Sequence, residues 1–279
     1  MISPVDMESY FQLSQEKRGA KKNFNFQLFD LLEKIALFSD EEQLELSKLH
    51  KHFAKNRDML TPGLLKREFE RVTIELSWKS AAIEGNTYTL LETETLLKEG
   101  ISAKGKKPEE ARMLLNHKEA LDFIRENLGL FKKISLSKIE QVHTLLTQGM
   151  GVARNLRRMS VGITGTDYRP IDNVFQIREA MERTCELLNT RPDPFCKALL
   201  AVLMISYIQP FEDGNKRTSR LIANAVLLTA GAFLMSFRSV NETDYKKAII
   251  LFYEQNNLTA FKNIFLDQAR FSVENYFSP

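Results

Sequence analysis

The sequence predicts an all-α fold: a helical bundle with an N-terminal helical region and one small β-hairpin flap. Three observations lead there. Apolar residues recur at three- and four-residue spacing along nearly the whole chain, which is the helix period. Capping residues and prolines stand where these stretches begin, and glycines stand where several end. Only Val161–Pro170 alternates β-branched residues with glycines, which suits a short hairpin with exposed edges.

Residues 1–23 are polar and mixed, and little fixed structure is expected before Asn23. Phe24, Leu28, Leu31, Leu32, Ile35 and Phe38 trace the first helix face. Ser39 or Asp40 caps a second helix that runs to about Lys55, with acids in its first turn. It carries His50 and His52, whose spacing of two puts them on different faces, so surface histidines are expected rather than metal ligands. Thr61-Pro62 opens a third helix with the core stripe Leu65, Phe69, Val72, Leu76 and Ile83; Ser80 and Glu84 continue that side. Glu84 lies just before the stop signal Gly85-Asn86, the unfavourable end of the helix dipole for a carboxylate. Either it is solvated, or a cation from across the fold compensates it.

Thr89 to Lys98 is a short helix. The basic, glycine-containing stretch 100–108 is the best internal boundary, dividing residues 1–105 from 106–279. Helices follow at 109–127 and 137–147, the latter carrying His143 beside its apolar stripe, where a structural role is expected. Beyond the hairpin, helices are expected at 174–188, 197–207, 221–230, 241–254 and 258–275.

A chain of 279 residues is long enough to bury a substantial core, as one large domain or two smaller ones. Basic residues exceed acidic ones by only three, so nucleic acid is not expected as a partner. The two cysteines, Cys185 and Cys196, form no framework for disulfides or zinc, which suits a reduced compartment. The first residues lack the order of a signal peptide, and the longest apolar run, 198–208, falls far short of the roughly 18 residues of a membrane span. A cytoplasmic protein without membrane contact is expected.

The informative stretch is Ile208 to Arg220, which gathers acid, amide and base between two strongly apolar runs. Asp213-Gly214 is a turn signal, and Gly214 lets several backbone N–H groups face one concavity. Lys216, Arg217 and Arg220 follow at the start of a helix, where the dipole disfavours each positive charge by roughly 0.3–1 kcal/mol. A bound polyanion reverses that sign. A phosphate-binding loop is therefore the leading reading, with a solvated helix start as the alternative. Gly149-Met150-Gly151 lacks the third glycine and the preceding strand of a dinucleotide motif.

Gln209-Pro210-Phe211-Glu212-Asp213-Gly214-Asn215-Lys216-Arg217-Thr218-Ser219-Arg220 resembles the signature of the Fic (Fido) family, His-Pro-Phe-x-Asp/Glu-Gly-Asn-Gly-Arg-x-x-Arg. Val161–Pro170 looks like that family's target-docking flap, placed at about 160–171. Ser80-Ala81-Ala82-Ile83-Glu84-Gly85-Asn86 is similar to its inhibitory motif, Ser/Thr-x-x-x-Glu-Gly/Asn. Because this motif precedes the core, the chain resembles the subclass whose inhibitory helix, here about 62–86, belongs to its own N-terminal region. The resemblance covers most of residues 62–275.

It implies transfer of AMP from ATP to a hydroxyl of a target protein. Asp213 would hold Mg²⁺; Asn215, Arg217 and the Gly214 backbone would bind the α- and β-phosphates, with Lys216 among them; Arg220 would take the γ-phosphate. Ser80, Glu84, Gly85 and Asn86 would form the brake, Glu84 pairing with Arg220. Gly162, Ile163, Thr164, Gly165, Thr166, Asp167 and Tyr168 would dock the target by strand addition. Two positions depart from the pattern. Gln209 stands where the family has the histidine base, a group typically worth ~10²–10⁴-fold. Lys216 stands in place of glycine, as in the Doc branch that transfers the terminal phosphate, although Doc-like loops generally lack the second arginine present here as Arg220. The expectation is a Mg²⁺- and ATP-binding protein related to protein adenylyltransferases, held off by Glu84 and weakened by Gln209. The alternatives are a non-catalytic, nucleotide-responsive binding module and a Doc-like phosphotransferase. Self-association is left open.

Overall fold

The computed structural model describes Ser3 and residues 5–278; Met1, Ile2, Pro4 and Pro279 lie outside the described residues. The helices, in chain order, are α1 (Met7–Gln12), α2 (Gln27–Lys34), α3 (Asp40–Met59), α4 (Pro62–Ile83), α5 (Leu90–Glu99), α6 (Pro108–Glu126), α7 (Leu136–Leu146), α8 (Val174–Thr190), α9 (Pro194–Ile208), α10 (Asn215–Thr229), α11 (Glu242–Gln255) and α12 (Thr259–Asn275). The expected all-α architecture is what is found.

The centre is α9. Asp193 caps it by accepting from the Phe195 N–H, and every residue from Ala198 to Ile208 is buried. A helix apolar on all sides has to be surrounded. Its main neighbour is α10, packed along it; α8 and α11 also lie against α9, while α6 and α7 flank α10 and α4 touches both α6 and α10. One continuous apolar core runs through this arrangement, taking Leu28 from α2 and Val72, Leu76 and Ile83 from α4. Each large side chain so buried contributes about 1.5–3 kcal/mol. The α9–α10 pair is consequently a stiff platform, and the loop between its helices is fixed at both ends.

Local signals explain the helix starts. Ser39 and Glu42 form a reciprocal capping box on α3, Thr89 and Glu92 form another on α5, and Thr61 followed by Pro62 opens α4. His50 lies against the edge of Phe195 and His52 bonds Asn56; among the described residues no histidine, cysteine or carboxylate cluster suits a metal ion. No described helix is long and apolar enough to cross a membrane.

Two expectations fail. Residues before Asn23 do carry structure: Asp6 caps α1, a 3-10 turn follows at Gln15–Lys17, and the segment is tied to α11 through Tyr10 and Arg18. The hairpin at 160–171 is not formed either. The stretch runs as an irregular loop with a turn at Thr164-Gly165, and its single bridge joins Arg169 in parallel to Asn23. Gly162 and Gly165 weaken strand structure, and the backbone bond at Arg169 goes to Lys22 instead of a second flap strand. Nor is the flap uniformly exposed: Thr166 and Tyr168 are buried, and the Tyr168 hydroxyl donates to the Tyr207 carbonyl.

Candidate functional site

Helix α9 ends at Gln209, whose backbone is left-handed at φ 51°. For a non-glycine residue this costs roughly 1–2 kcal/mol. Side-chain bonds offset it: Gln209 Nε2 donates to the Ser206 carbonyl at 2.7 Å, and Oε1 accepts from Asn215 Nδ2 at 3.0 Å. Asn215 also closes the turn itself, accepting from the Phe211 N–H and donating to the Phe211 carbonyl, both at 2.8 Å. The Phe211 ring is fully buried and lies flat on His143, with centroids 3.7 Å apart. His143 Nε2 bonds the Asp213 carbonyl at 2.9 Å; a carbonyl can only accept, so Nε2 carries the proton. Burial holds this imidazole down to about 4, so it is neutral, the structural role expected of it. Arg157 closes the loop from the other side. It is buried and donates to the carbonyls of Gln209, Met159 and Ile171, while its own N–H donates to Pro210.

Gly214 caps α10 at φ 80° without any side-chain bond, so the first-turn N–H groups have no side-chain acceptor. A Cβ there would come within 3.2 Å of Thr147 Cγ2 and 3.5 Å of the His143 ring. The three cations next in sequence have different surroundings. Arg217 is 1% exposed; its Nη2 reaches Asp213 at 2.9 Å, whereas Nε and Nη1 are buried without a partner. Arg220 is wholly buried, with Nε on Ser80 Oγ at 3.0 Å, Nη2 on the Ser80 carbonyl at 2.8 Å and Nη1 on the Tyr245 hydroxyl at 3.3 Å. The same Nη2 meets Glu84 Oε1 at 3.0 Å, and Lys216 Nζ meets Glu84 Oε2 at 3.1 Å. Of the two readings for Glu84, the compensated one is what the fold contains. Burial pushes its carboxyl up, but Arg220 and Lys216 outweigh that and hold it below its usual range. Glu84 is placed by the end of α4, where Gly85 turns at φ 96° and Asn86 donates to the Glu110 carbonyl of α6.

A cavity of about 440 Å³ opens beside these groups. The loop lines it with Gln209 and residues 212–216, α4 with Ile83 and Glu84, the flap with Val161–Thr164, and α11 with Tyr245, Lys246, Ile249, Ile250 and Tyr253. The structure thus brings Gln209, Asp213, Gly214, Asn215, Lys216, Glu84 and the start of the flap to one cavity, with Arg217 and Arg220 bonded to its rim. Gly165 to Tyr168 lie away from the lining. Sequence reasoning missed Arg157, which sits in a stretch without periodicity, and the α11 wall, whose residues read only as a helix face.

The helical hairpin with its polar loop is the Fic fold: Fic-1 from C. elegans superposes with a TM-score of 0.71 at 20% identity, covering 85% of this chain and 71% of that one. A Fic family protein from Desulfovibrio desulfuricans gives 0.69 at 21% identity over 86% and 74% of the two chains. The family model described as Fic/DOC matches residues 133–227. The protein adenylyltransferase Fic of Nematostella vectensis is 30% identical over 192 residues, 65% of this chain and 43% of that protein; the one of Drosophila grimshawi is 29% identical over 199 residues, 69% and 38%. Residues 133–227 thus form a Fic/DOC domain. The chain spans less than half the length of these relatives.

Proposed function

We propose that this chain binds Mg²⁺–ATP at the start of α10 and is a protein adenylyltransferase of weakened activity, held off by Glu84. The observation that carries this is Arg217: a guanidinium almost wholly buried, at an uncapped helix start, with two nitrogens lacking any acceptor. Such an arrangement is costly unless an anion arrives to accept from them. Phosphate oxygens meet that demand from the helix N–H groups and Arg217 together, and the relatives' name, protein adenylyltransferase, supports ATP as the source.

Asp213 is the carboxylate suited to the metal. Its side chain is 62% exposed, and a hard cation that takes one carboxylate plus phosphate oxygens matches a site offering one such group. A bound Mg²⁺ supplies charge neutralisation across the phosphates. The chain's own groups do the rest. Arg217 and the first-turn N–H groups orient the phosphates, Arg220 receives the terminal one once Glu84 has left, and the cavity encloses the nucleoside. The flap stretch Val161–Thr164 offers its backbone to an extended target segment. Gln209 supplies no base, because an amide has no useful basicity and both its polar atoms are already engaged. The target hydroxyl would therefore lose its proton to solvent, and transfer is slow.

That engaged Gln209 also favours a second reading, a nucleotide-responsive binding module without turnover. The two separate with ATP labelled at the α or the γ position, applied to the wild type, Glu84→Gly, Gln209→His and the double variant. The transferase reading expects α-label in protein, most in the double variant. Binding of ATP without label in any variant supports the module; γ-label points to phosphoryl transfer, for which Lys216 would be the cause. Failure of Glu84→Gly to bind Mg²⁺–ATP overturns the site itself. We also propose a cytoplasmic location, supported by two buried, free cysteines whose thiols burial pushes up.

A further inference from the structure

We infer that the N-terminal segment Gln15–Asn23 is a strap that positions the flap, with Arg18 as its positioning residue; this rests on the flap reading above. Among the described residues the flap lacks a strand partner of its own, and no backbone–backbone hydrogen bond involves Val161–Thr164. What fixes its second half comes from the far end of the chain. Gln15 Nε2 donates to Asp167 at 2.5 Å, Arg18 Nη2 donates to the Gly165 carbonyl at 2.9 Å, and the Arg169 N–H donates to the Lys22 carbonyl at 2.8 Å.

The strap is in turn locked to α11. Arg18 Nη1 lies 3.3 Å from Glu254, and the two side chains are 6% and 0% exposed. The Tyr10 hydroxyl donates to the same carboxylate at 2.7 Å, and the Lys21 N–H donates to the Glu254 carbonyl at 2.8 Å. Fastening a chain end to a helix needs no buried ion pair, and apolar groups serve stability as well or better. A guanidinium does something apolar groups cannot: one nitrogen bonds α11 while the other bonds the flap. Helix α11 also walls the cavity through Lys246, Ile249, Ile250 and Tyr253, and Ile250 Cδ1 lies 3.6 Å from where a Gly165 Cβ would stand. Arg18 therefore sets the flap at a fixed distance from the nucleotide cavity. The strap engages one half of the flap and leaves Val161–Thr164, the half facing the cavity, open for a target strand.

The test is backbone hydrogen exchange on the full chain, which does not depend on transfer activity. Gln15→Ala and Arg18→Ala are expected to raise exchange over residues 161–169 by about tenfold or more, the signature of local opening, while 209–217 keeps its protection. Arg18→Lys, which retains a charge for Glu254 but not the fork to Gly165, is expected to raise flap exchange as well. Unchanged flap exchange in Gln15→Ala and Arg18→Lys overturns the inference, as does an equal rise over every helix in those two variants, which keep the buried charge. A flap-selective rise in a protein that labels no target leaves the strap standing and counts against the transferase reading alone.

Discussion

Replacing Glu84 by glycine removes the one carboxylate that α4 places against the cations of α10. Its bond to Arg220 is charge-assisted and part-buried, at 3.0 Å. Such a bond contributes about 1.5–3 kcal/mol. The bond to Lys216, whose side chain is 26% exposed, is discounted to at most about 1 kcal/mol. On the proposed reading, a terminal phosphate that takes over Arg220 has to displace Glu84, and the wild type is expected to forfeit roughly 10- to 150-fold in ATP affinity. Arg220 itself stays in place in the variant, because Ser80 and Tyr245 hold three of its nitrogen contacts independently of Glu84. The assay is calorimetric titration with Mg²⁺–ATP and Mg²⁺–ADP. Glu84→Gly is expected to gain the full factor for ATP and little for ADP, which lacks the competing group. Lys216 adds a sign test. In the wild type, Lys216→Gln loosens the brake and raises ATP affinity; in Glu84→Gly it removes a phosphate ligand and lowers it. Equal gains for ATP and ADP, or the same direction for Lys216→Gln in both backgrounds, would refute the reasoning.

Gly214→Ala forces a side chain into the left-handed region and against Thr147; a loss of roughly 1–2 kcal/mol in urea unfolding and weaker ATP binding are expected. His143 and His117 are buried and held down to about 4 and about 3, with burial the main cause. Since their folded pKa lies below the ordinary value near 6.5, the unfolded chain binds more protons between those limits, and stability falls as pH drops below about 6.5, by about 2 kcal/mol per histidine at pH 5. His117→Gln should remove its share of the difference between unfolding at pH 7 and pH 5; an unchanged difference would refute the assignment. Gln209→His in the Glu84→Gly background should raise α-label incorporation by ~10²-fold or more if the imidazole can reach a target hydroxyl.

Helix by helix, most of the fold was legible because its determinants are local. Ser39 with Glu42, Thr61 with Pro62 and Thr89 with Glu92 signal their own helices within four residues. What was not legible depends on residues far apart in the chain. The flap has the composition of a hairpin, but a strand needs a partner, and the N-terminal segment took that place at Arg169. The order before Asn23 rests on Arg18 and Tyr10 meeting Glu254, more than two hundred residues away, which no local pattern announces. At the site, charge placement alone said that Glu84 lacked a partner and that the start of α10 had too many cations. That Arg220 answers Glu84, at 3.0 Å, came only through the family resemblance, and the second partner, Lys216 at 3.1 Å, was not read from the sequence at all.

The cations of α10 oppose the helix dipole, and the fold tolerates them because two carboxylates compensate them. Asp213 serves Arg217 from within the loop, and Glu84 serves Arg220 and Lys216 from α4. The two carboxylates are unequal. Asp213 is 62% exposed and can turn to solvent or a metal at little cost, whereas Glu84 is 19% exposed and anchored through Gly85 and Asn86 to α6. On the proposed reading, a polyphosphate arriving at the loop meets one anion that yields and one that resists. The resistance falls on the terminal phosphate, since Arg220 lies a helical turn beyond Lys216. If the site is used in that way, affinity for the first phosphates and admission of the last are governed by different residues, and variants at Asp213 and at Glu84 should alter ADP and ATP binding in separable ways.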